Sequence, residues 1–183
     1  MPLPTPVARE PVHVRSIDCR GFARDDGLFD VEAWLVDTKA YPVANRWRGP
    51  IQPGEPIHGM GLRLTLNDDL EVVAAAAMTD FSPYPVCGAI APAFEQLVGL
   101  RIGPGWRRAV QARLGGVRGC THLVDLLGPL ATTAMQAILP LKRRAAPPTP
   151  ATRPPGHLDG CHALRRDGPV VKEHHPEWYT GDG

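Results

Sequence analysis

The sequence predicts an α+β domain in which an antiparallel sheet of about four strands is followed by three packed helices. Two observations support this. Hydrophobic residues alternate with polar ones in the first half of the chain, and they recur at helical spacing in the second half. With 183 residues, 43% of them hydrophobic, the chain can bury a core of its own.

The strands are predicted from alternation and from turn residues. Residues 29–35 alternate directly after the turn sequence DDG, which favours a hairpin with Val12 to Cys19. Residues 60–66 also alternate, and NDD then turns the chain into LEVVAAAAM, the second hairpin. A loop rich in proline and glycine, YPVANRWRGPIQPGEP, separates the hairpins.

The helices are predicted from capping residues and apolar spacing. The first runs from Ser82 to Gly99 with Pro92 as its weak point, and the second runs from about Pro104 to the glycines at 115 and 116. The third, with an apolar stripe from Leu123 to Ala137, ends near Leu141. We therefore place one α+β domain at residues 12–141.

Beyond the domain the composition changes. Residues 142–156, KRRAAPPTPATRPPG, are expected to form an extended, proline-rich linker. Residues 157–183 form a C-terminal tail that either docks on the domain or is disordered.

Charge and hydropathy exclude several classes of function. Twenty basic and 19 acidic side chains give a net charge of +1, which argues against binding to nucleic acid or to a membrane surface. We see neither a signal peptide nor an apolar run of about 20 residues, so we expect a cytoplasmic protein that does not span a membrane. In that compartment its four cysteines are expected to be thiols.

The candidate functional residues are cysteines and a histidine near predicted helix starts. Cys87 lies early in the first helix, and Cys120 with His122 opens the third, where a helix dipole favours a thiolate. With Asp37, or with Cys161 from the tail, they would supply the three or four ligands of zinc or an iron–sulfur cluster.

Other interpretations of these residues remain open. Cys120 also continues the apolar stripe of the third helix, so it could be a core residue. If Cys120 and His122 were both helical they would point about 200° apart, so they could share an ion only if Cys120 lies at the helix cap. His58 begins a strand, and we interpret it as structural.

Two further functions are alternatives to metal binding. Cys87 could act as a nucleophile with His122 as its base, in acyl or sulfur transfer, although no orienting carboxylate is visible. The chain could also be a metal-free binding module. Neither the substrate nor any protein partner follows from the sequence.

Several segments resemble a known but uncharacterised family. GEPIHGMGLRLTL, PYPVCG, GCTHLVDLL and DGCHALRRDGPVV are similar to an uncharacterised bacterial family of unknown function, over about Val14 to Tyr179. That resemblance, which includes the GCTHL motif, implies no activity.

A more distant resemblance concerns the order of elements. Two hairpins, a cysteine at the first helix start and a Cys-x-His cluster opening a long helix are similar to NifU/IscU-type iron–sulfur scaffold proteins. The resemblance implies a site of three cysteines with a histidine or aspartate, to which Cys87, Cys120 and His122 would correspond. The first scaffold cysteine has no counterpart here, so Asp37 or Cys161 would replace it. The resulting hypothesis is metal or iron–sulfur binding in a scaffold or accessory role rather than catalytic turnover.

Overall fold

A computed structural model describes residues 3–145 and 152–181. Four strands form one antiparallel sheet in the order β1-β2-β3-β4, and helical segments follow them. The predicted α+β class and the four-stranded sheet are therefore confirmed. The strands are β1 (His13–Ala23), β2 (Phe29–Lys39), β3 (Pro56–Leu66) and β4 (Val72–Phe81).

Turn residues set the connections of the two hairpins. Gly27 adopts a φ of 82° in the turn between β1 and β2, a backbone conformation that favours glycine. Between β3 and β4 the side-chain oxygen of Asn67 accepts hydrogen bonds from the backbone N–H groups of Asp69 and Glu71. Such a turn mimics a backbone turn and explains why NDD reverses the chain.

Three longer helical segments follow the sheet within residues 82–145, and a 3-10 turn of three residues, Gly116–Arg118, precedes the last of them. Residues Pro85–Leu97 form a 3-10 segment, followed by α1 (Trp106–Leu114) and α2 (Thr121–Ala145). The first segment was expected to be an ordinary helix at 82–99. Pro92 lies inside it and lacks a backbone N–H, so it removes one hydrogen bond from the segment.

The core lies between one face of the sheet and the helices. Alternate residues of β2 and β3 are buried there, and α2 buries a stripe that includes Leu123, Leu127 and Leu130. Gly21 of β1 allows a close approach, because a Cβ at this position would lie 2.7 Å from the Cβ of Ala137. By length and composition α2 would also suit a membrane span, a property that core helices share.

The α2 helix is longer than expected. Residues 142–145, assigned by sequence to the linker, continue the helix, and Lys142 forms an ion pair with Asp69 at 3.2 Å. Basic residues are also favoured at the negative end of the helix dipole. The rest of the proposed linker as far as residue 151 lies outside the described residues.

The C-terminal residues form a compact unit of their own, Ala145–Gly183. It contains a short helix, α3 (Pro169–His174), in which Val171 is buried. The side chain of Asp159 accepts hydrogen bonds from the backbone and side chain of Arg166. The tail thus has local structure that its composition alone did not predict.

Candidate metal centre

A buried carboxylate lies at the centre of a polar cluster on the sheet. Asp37 continues the buried face of β2 and is only 2% exposed. The strand register places Arg15 of β1 opposite Asp37, and Asp37 opposite His58 of β3. Residues paired in this way project from the same face of a sheet, so the three side chains form a row across three strands.

Arg15 holds the carboxylate with two hydrogen bonds. Its Nε donates to Oδ1 of Asp37 at 2.8 Å, and its Nη2 donates to Oδ2 at 2.8 Å. The remaining guanidinium nitrogen, Nη1, donates to Oδ2 of Asp125 at 2.9 Å. Arg15 therefore links the buried carboxylate to a second, more exposed one on α2.

Two histidines also approach the carboxylate of Asp37. Nδ1 of His58 is 3.1 Å from Oδ2 of Asp37, and Nε2 of His122, from the first turn of α2, is 3.7 Å from the same oxygen. The two imidazole rings stack with centroids 3.8 Å apart and planes inclined by 30°. His13 adds a third imidazole, with Nε2 3.4 Å from Oδ1.

The surroundings favour an ionised carboxylate and neutral imidazoles. Burial raises the pKa of Asp37, but the hydrogen bonds and charge of Arg15 outweigh it, so this pKa lies below its ordinary value. Burial lowers the pKa of His58, and the neighbouring His122 lowers it further. Burial and the charge of Arg15 likewise lower the pKa of His122. At neutral pH all three groups are in the form that binds metal.

Cys120 lies at the helix cap, as a shared site with His122 requires. The α2 helix begins at Thr121, and the backbone oxygen of Cys120 accepts the hydrogen bond of the Val124 N–H at 2.8 Å. The sulfur of Cys120 is 3.9 Å from Nδ1 of His122 and 3.8 Å from the sulfur of Met60. The thiol and the carboxylate of Asp37 therefore approach different nitrogens of one imidazole.

One group of metal-capable side chains stands out in the described part of the chain. Asp37, His58 and His122 each offer one ligand atom, and these atoms all lie within 4.8 Å of one another. Zinc bonds of 2.0 to 2.2 Å in a tetrahedron require donor atoms about 3.3 to 3.6 Å apart. The separations of 3.1 and 3.7 Å from Oδ2 bracket that range, and the ligand atoms of the two histidines lie within 4.8 Å of each other.

Comparison with protein-family models gives a match that covers residues 13–136 and is described as "Protein of unknown function (DUF2889)". The chain belongs to this family. The matched region of DUF2889 spans the whole sheet and includes Asp37, His58, Cys120 and His122. No curated protein and no solved structure matches the chain. The likeness to NifU/IscU-type scaffolds stays a prediction.

The sequence-based candidates have different positions in this DUF2889 chain. Asp37 and His122 belong to the same group of ligand atoms, with Cys120 beside His122. Cys87 lies, partly buried, in the 3-10 segment and outside that group. Cys161 is exposed in the C-terminal unit.

His58 is the residue that sequence reasoning missed. His58 is an even-numbered residue like the buried Met60, Leu62 and Leu64 of the same strand, and this shared parity was overlooked when His58 was interpreted as structural. If the alternation continues through Gly59, this parity places the imidazole on the core face. Its pairing with Asp37 depends on the register between β2 and β3, and the long loop between these strands means that the sequence does not define this register.

Proposed function

We propose that this DUF2889 protein binds a divalent transition-metal ion through Asp37, His58 and His122. The observation that carries the proposal is the convergence of three ligand atoms within 4.8 Å at a largely buried position. Two imidazoles and one carboxylate form the donor set of many iron(II) and zinc sites. The set leaves coordination positions open for water or a substrate.

The donor set favours a single ion over an iron–sulfur cluster. Clusters are held mainly by cysteine thiolates, whereas this group offers two nitrogens and a carboxylate. The sulfur of Cys120 approaches Nδ1 of His122 while Asp37 lies near Nε2. If Nε2 of His122 binds the ion, Cys120 is not a ligand. Its thiol instead contacts Nδ1, the ring nitrogen facing away from the ion, and orients the imidazole.

Metal binding affects two groups of side chains. The lone pair of an imidazole lies in the ring plane, so the stacked rings of His58 and His122 cannot both point at one ion until one ring rotates. Arg15 is the second group affected, because its guanidinium already donates to Oδ2 of Asp37 and the ion must share this oxygen with it or displace it. Its existing bond to Asp125 gives the guanidinium an alternative anchor during this exchange.

Cobalt(II) titration followed by absorption spectroscopy tests the proposal. The wild-type chain and His174→Gln, an exposed histidine of the C-terminal unit, should bind cobalt alike. His58→Gln and His122→Gln should each weaken binding by tenfold or more, because each removes one of three protein ligands. Equal binding by all four proteins would contradict the proposal.

A Cys120→Ser variant in the same titration separates the two roles of the thiol. We expect it to bind cobalt, since the thiol is assigned to the outer side of His122. A thiolate-to-cobalt charge-transfer band that disappears in Cys120→Ser would instead make the sulfur a direct ligand. In both outcomes the ion is bound at His122, and the result decides only whether the sulfur of Cys120 is a direct ligand.

A cysteine-dependent enzyme is a second candidate function, and a series of side-chain contacts favours it. Cys120, His122 and Asp37 follow one another at 3.9 and 3.7 Å, which is the order of a nucleophile, a base and an orienting carboxylate. This arrangement supports Cys120 as the nucleophile where sequence reasoning had chosen Cys87. Iodoacetamide should then alkylate Cys120 faster than Cys87 at neutral pH in chelator-treated protein, and His122→Gln should remove the difference.

A further inference from the structure

A cleft between α1 and α2 is separate from the histidine cluster. It has a volume of about 660 Å³, within the usual range of small-molecule sites. Apolar side chains form much of its wall, including the buried Ile102 and Trp106 and the partly exposed Met135. Gly128 also lines the cleft, and a Cβ at this position would meet no atom within 4 Å.

A second depression continues the cleft towards β1. Its volume is about 570 Å³, and it shares Arg107, Gly128 and Thr132 with the first. Ile17 and Cys19 of β1 contribute to its lining. We name the two depressions together the α1–α2 groove, an elongated surface with both apolar and hydroxyl-bearing walls.

Two arginines lie in this groove without a counter-charge. Arg107 and Arg108 are exposed, and no ion pair within the described residues engages either guanidinium. No aspartate or glutamate lines either depression of the groove. Asp125 lines an adjoining depression that also includes Arg107, but its carboxylate is bonded to Arg15.

The position of these arginines in α1 is itself unfavourable. They occupy the first turn, which contains no acidic residue, and the positive end of a helix dipole repels cations. A bound anion would relieve the repulsion of each guanidinium by the helix end. The apolar walls beyond them would accommodate a hydrocarbon chain.

We infer that the α1–α2 groove binds an amphipathic anion, specifically a medium-chain fatty carboxylate. Its head group pairs with Arg107 and Arg108, and its chain lies over Gly128 against Trp106 and Met135. This site is independent of the proposed metal centre, because it uses none of that centre's ligands.

Isothermal titration calorimetry of the full chain with decanoate, below its micelle-forming concentration, tests the inference. We expect saturable binding for decanoate, at least tenfold weaker binding for uncharged decanol, and none for acetate at the same concentrations. These results would show that both the charge and the chain are recognised. Saturable binding of acetate alone would overturn the assignment, since only an anion site would then be present.

Matched variants locate the ligand in the groove. Gly128→Met places a side chain in the open space above α2 and should abolish decanoate binding, whereas Gly128→Ala should bind within about threefold of wild type. Both replacements raise helix propensity, so neither should unfold the chain. The double replacement Arg107→Gln with Arg108→Gln should weaken binding about tenfold or more, since each tenfold corresponds to about 1.4 kcal/mol of lost interaction.

Arg9→Gln with Arg46→Gln, which removes two exposed charges elsewhere, is the control for net charge and should bind normally. His122→Gln should also bind decanoate normally, so failure of the metal centre and failure of the groove are distinguishable. Undiminished binding by Gly128→Met, or no saturable binding by wild type, would overturn the inference.

Discussion

Replacing Arg15 with methionine removes the partner of a buried carboxylate while keeping most of the apolar stem. The wild-type contact consists of two charge-assisted hydrogen bonds of 2.8 Å to a side chain that is 2% exposed. Breaking a fully buried ion pair costs about 3 to 5 kcal/mol. Arg15 is 34% exposed and His58 remains beside Asp37, so we expect a smaller loss, about 2 to 3 kcal/mol at pH 7.

Chemical denaturation of metal-free protein measures this loss, and a double-mutant cycle with Asp37→Asn isolates the pair. Because Asp37→Asn removes the buried charge, the Arg15→Met replacement should cost much less in that background, giving a coupling of about 2 kcal/mol. Additive losses, with a coupling below about 0.5 kcal/mol, would refute the central role of this contact.

The same replacement should act in the opposite direction on metal binding. Arg15 and a metal ion compete for Oδ2 of Asp37, so Arg15→Met should bind cobalt more tightly than wild type. At a free metal concentration of about 100 times Kd, binding would restore about 2.7 kcal/mol of stability to the variant. Weaker cobalt binding by Arg15→Met would show that the guanidinium supports the site and does not compete for it.

Two further predictions concern pH and packing. The pKa values of His58 and His122 lie below the ordinary 6.5, so the unfolded chain binds protons more readily than the folded one. The free energy of unfolding of metal-free protein should therefore fall as the pH drops from 6.5 towards the folded-state pKa values. Urea titrations at pH 7.5 and 5.5 should show this fall, and a similar fall in the variant with both His58→Gln and His122→Gln would contradict it. Gly21→Ala should cost about 1 to 3 kcal/mol because its Cβ would overlap that of Ala137. Gly88→Ala, with open space around it, should change the unfolding free energy by less than about 0.5 kcal/mol, and equal effects of the two replacements would contradict the packing argument.

Much of the fold could be predicted because its signals are local. The alternation in residues 60–66 depends only on side chains two residues apart, and it correctly gave β3 and the buried face of the sheet. The 3-10 geometry of Pro85–Leu97 was harder to foresee. Apolar residues at helical spacing look alike in both helix types, and the effect of Pro92 depends on the bonds that the rest of the segment can keep.

The candidate site was only partly predictable because it depends on pairing between strands. Asp37, as an alternative to Cys161, and His122 were predicted as candidate ligands, and both belong to the group of ligand atoms; the helix-cap position of Cys120 was stated as a condition that the structure meets. The contributions of Arg15 and His58 arise from register across three strands. A shift of one residue would turn either side chain to the opposite face, so composition and spacing could not establish them.

Metal content per chain, measured on anaerobically purified protein by plasma mass spectrometry, tests the central claim most directly. Wild type, Cys87→Ser and His174→Gln should each retain about one transition-metal ion, while His58→Gln should retain far less because it loses one of three protein ligands. Metal that is absent from wild type even after loading with cobalt or zinc, or that disappears in Cys87→Ser but persists in His58→Gln, would contradict the assignment of Asp37, His58 and His122 as the ligands.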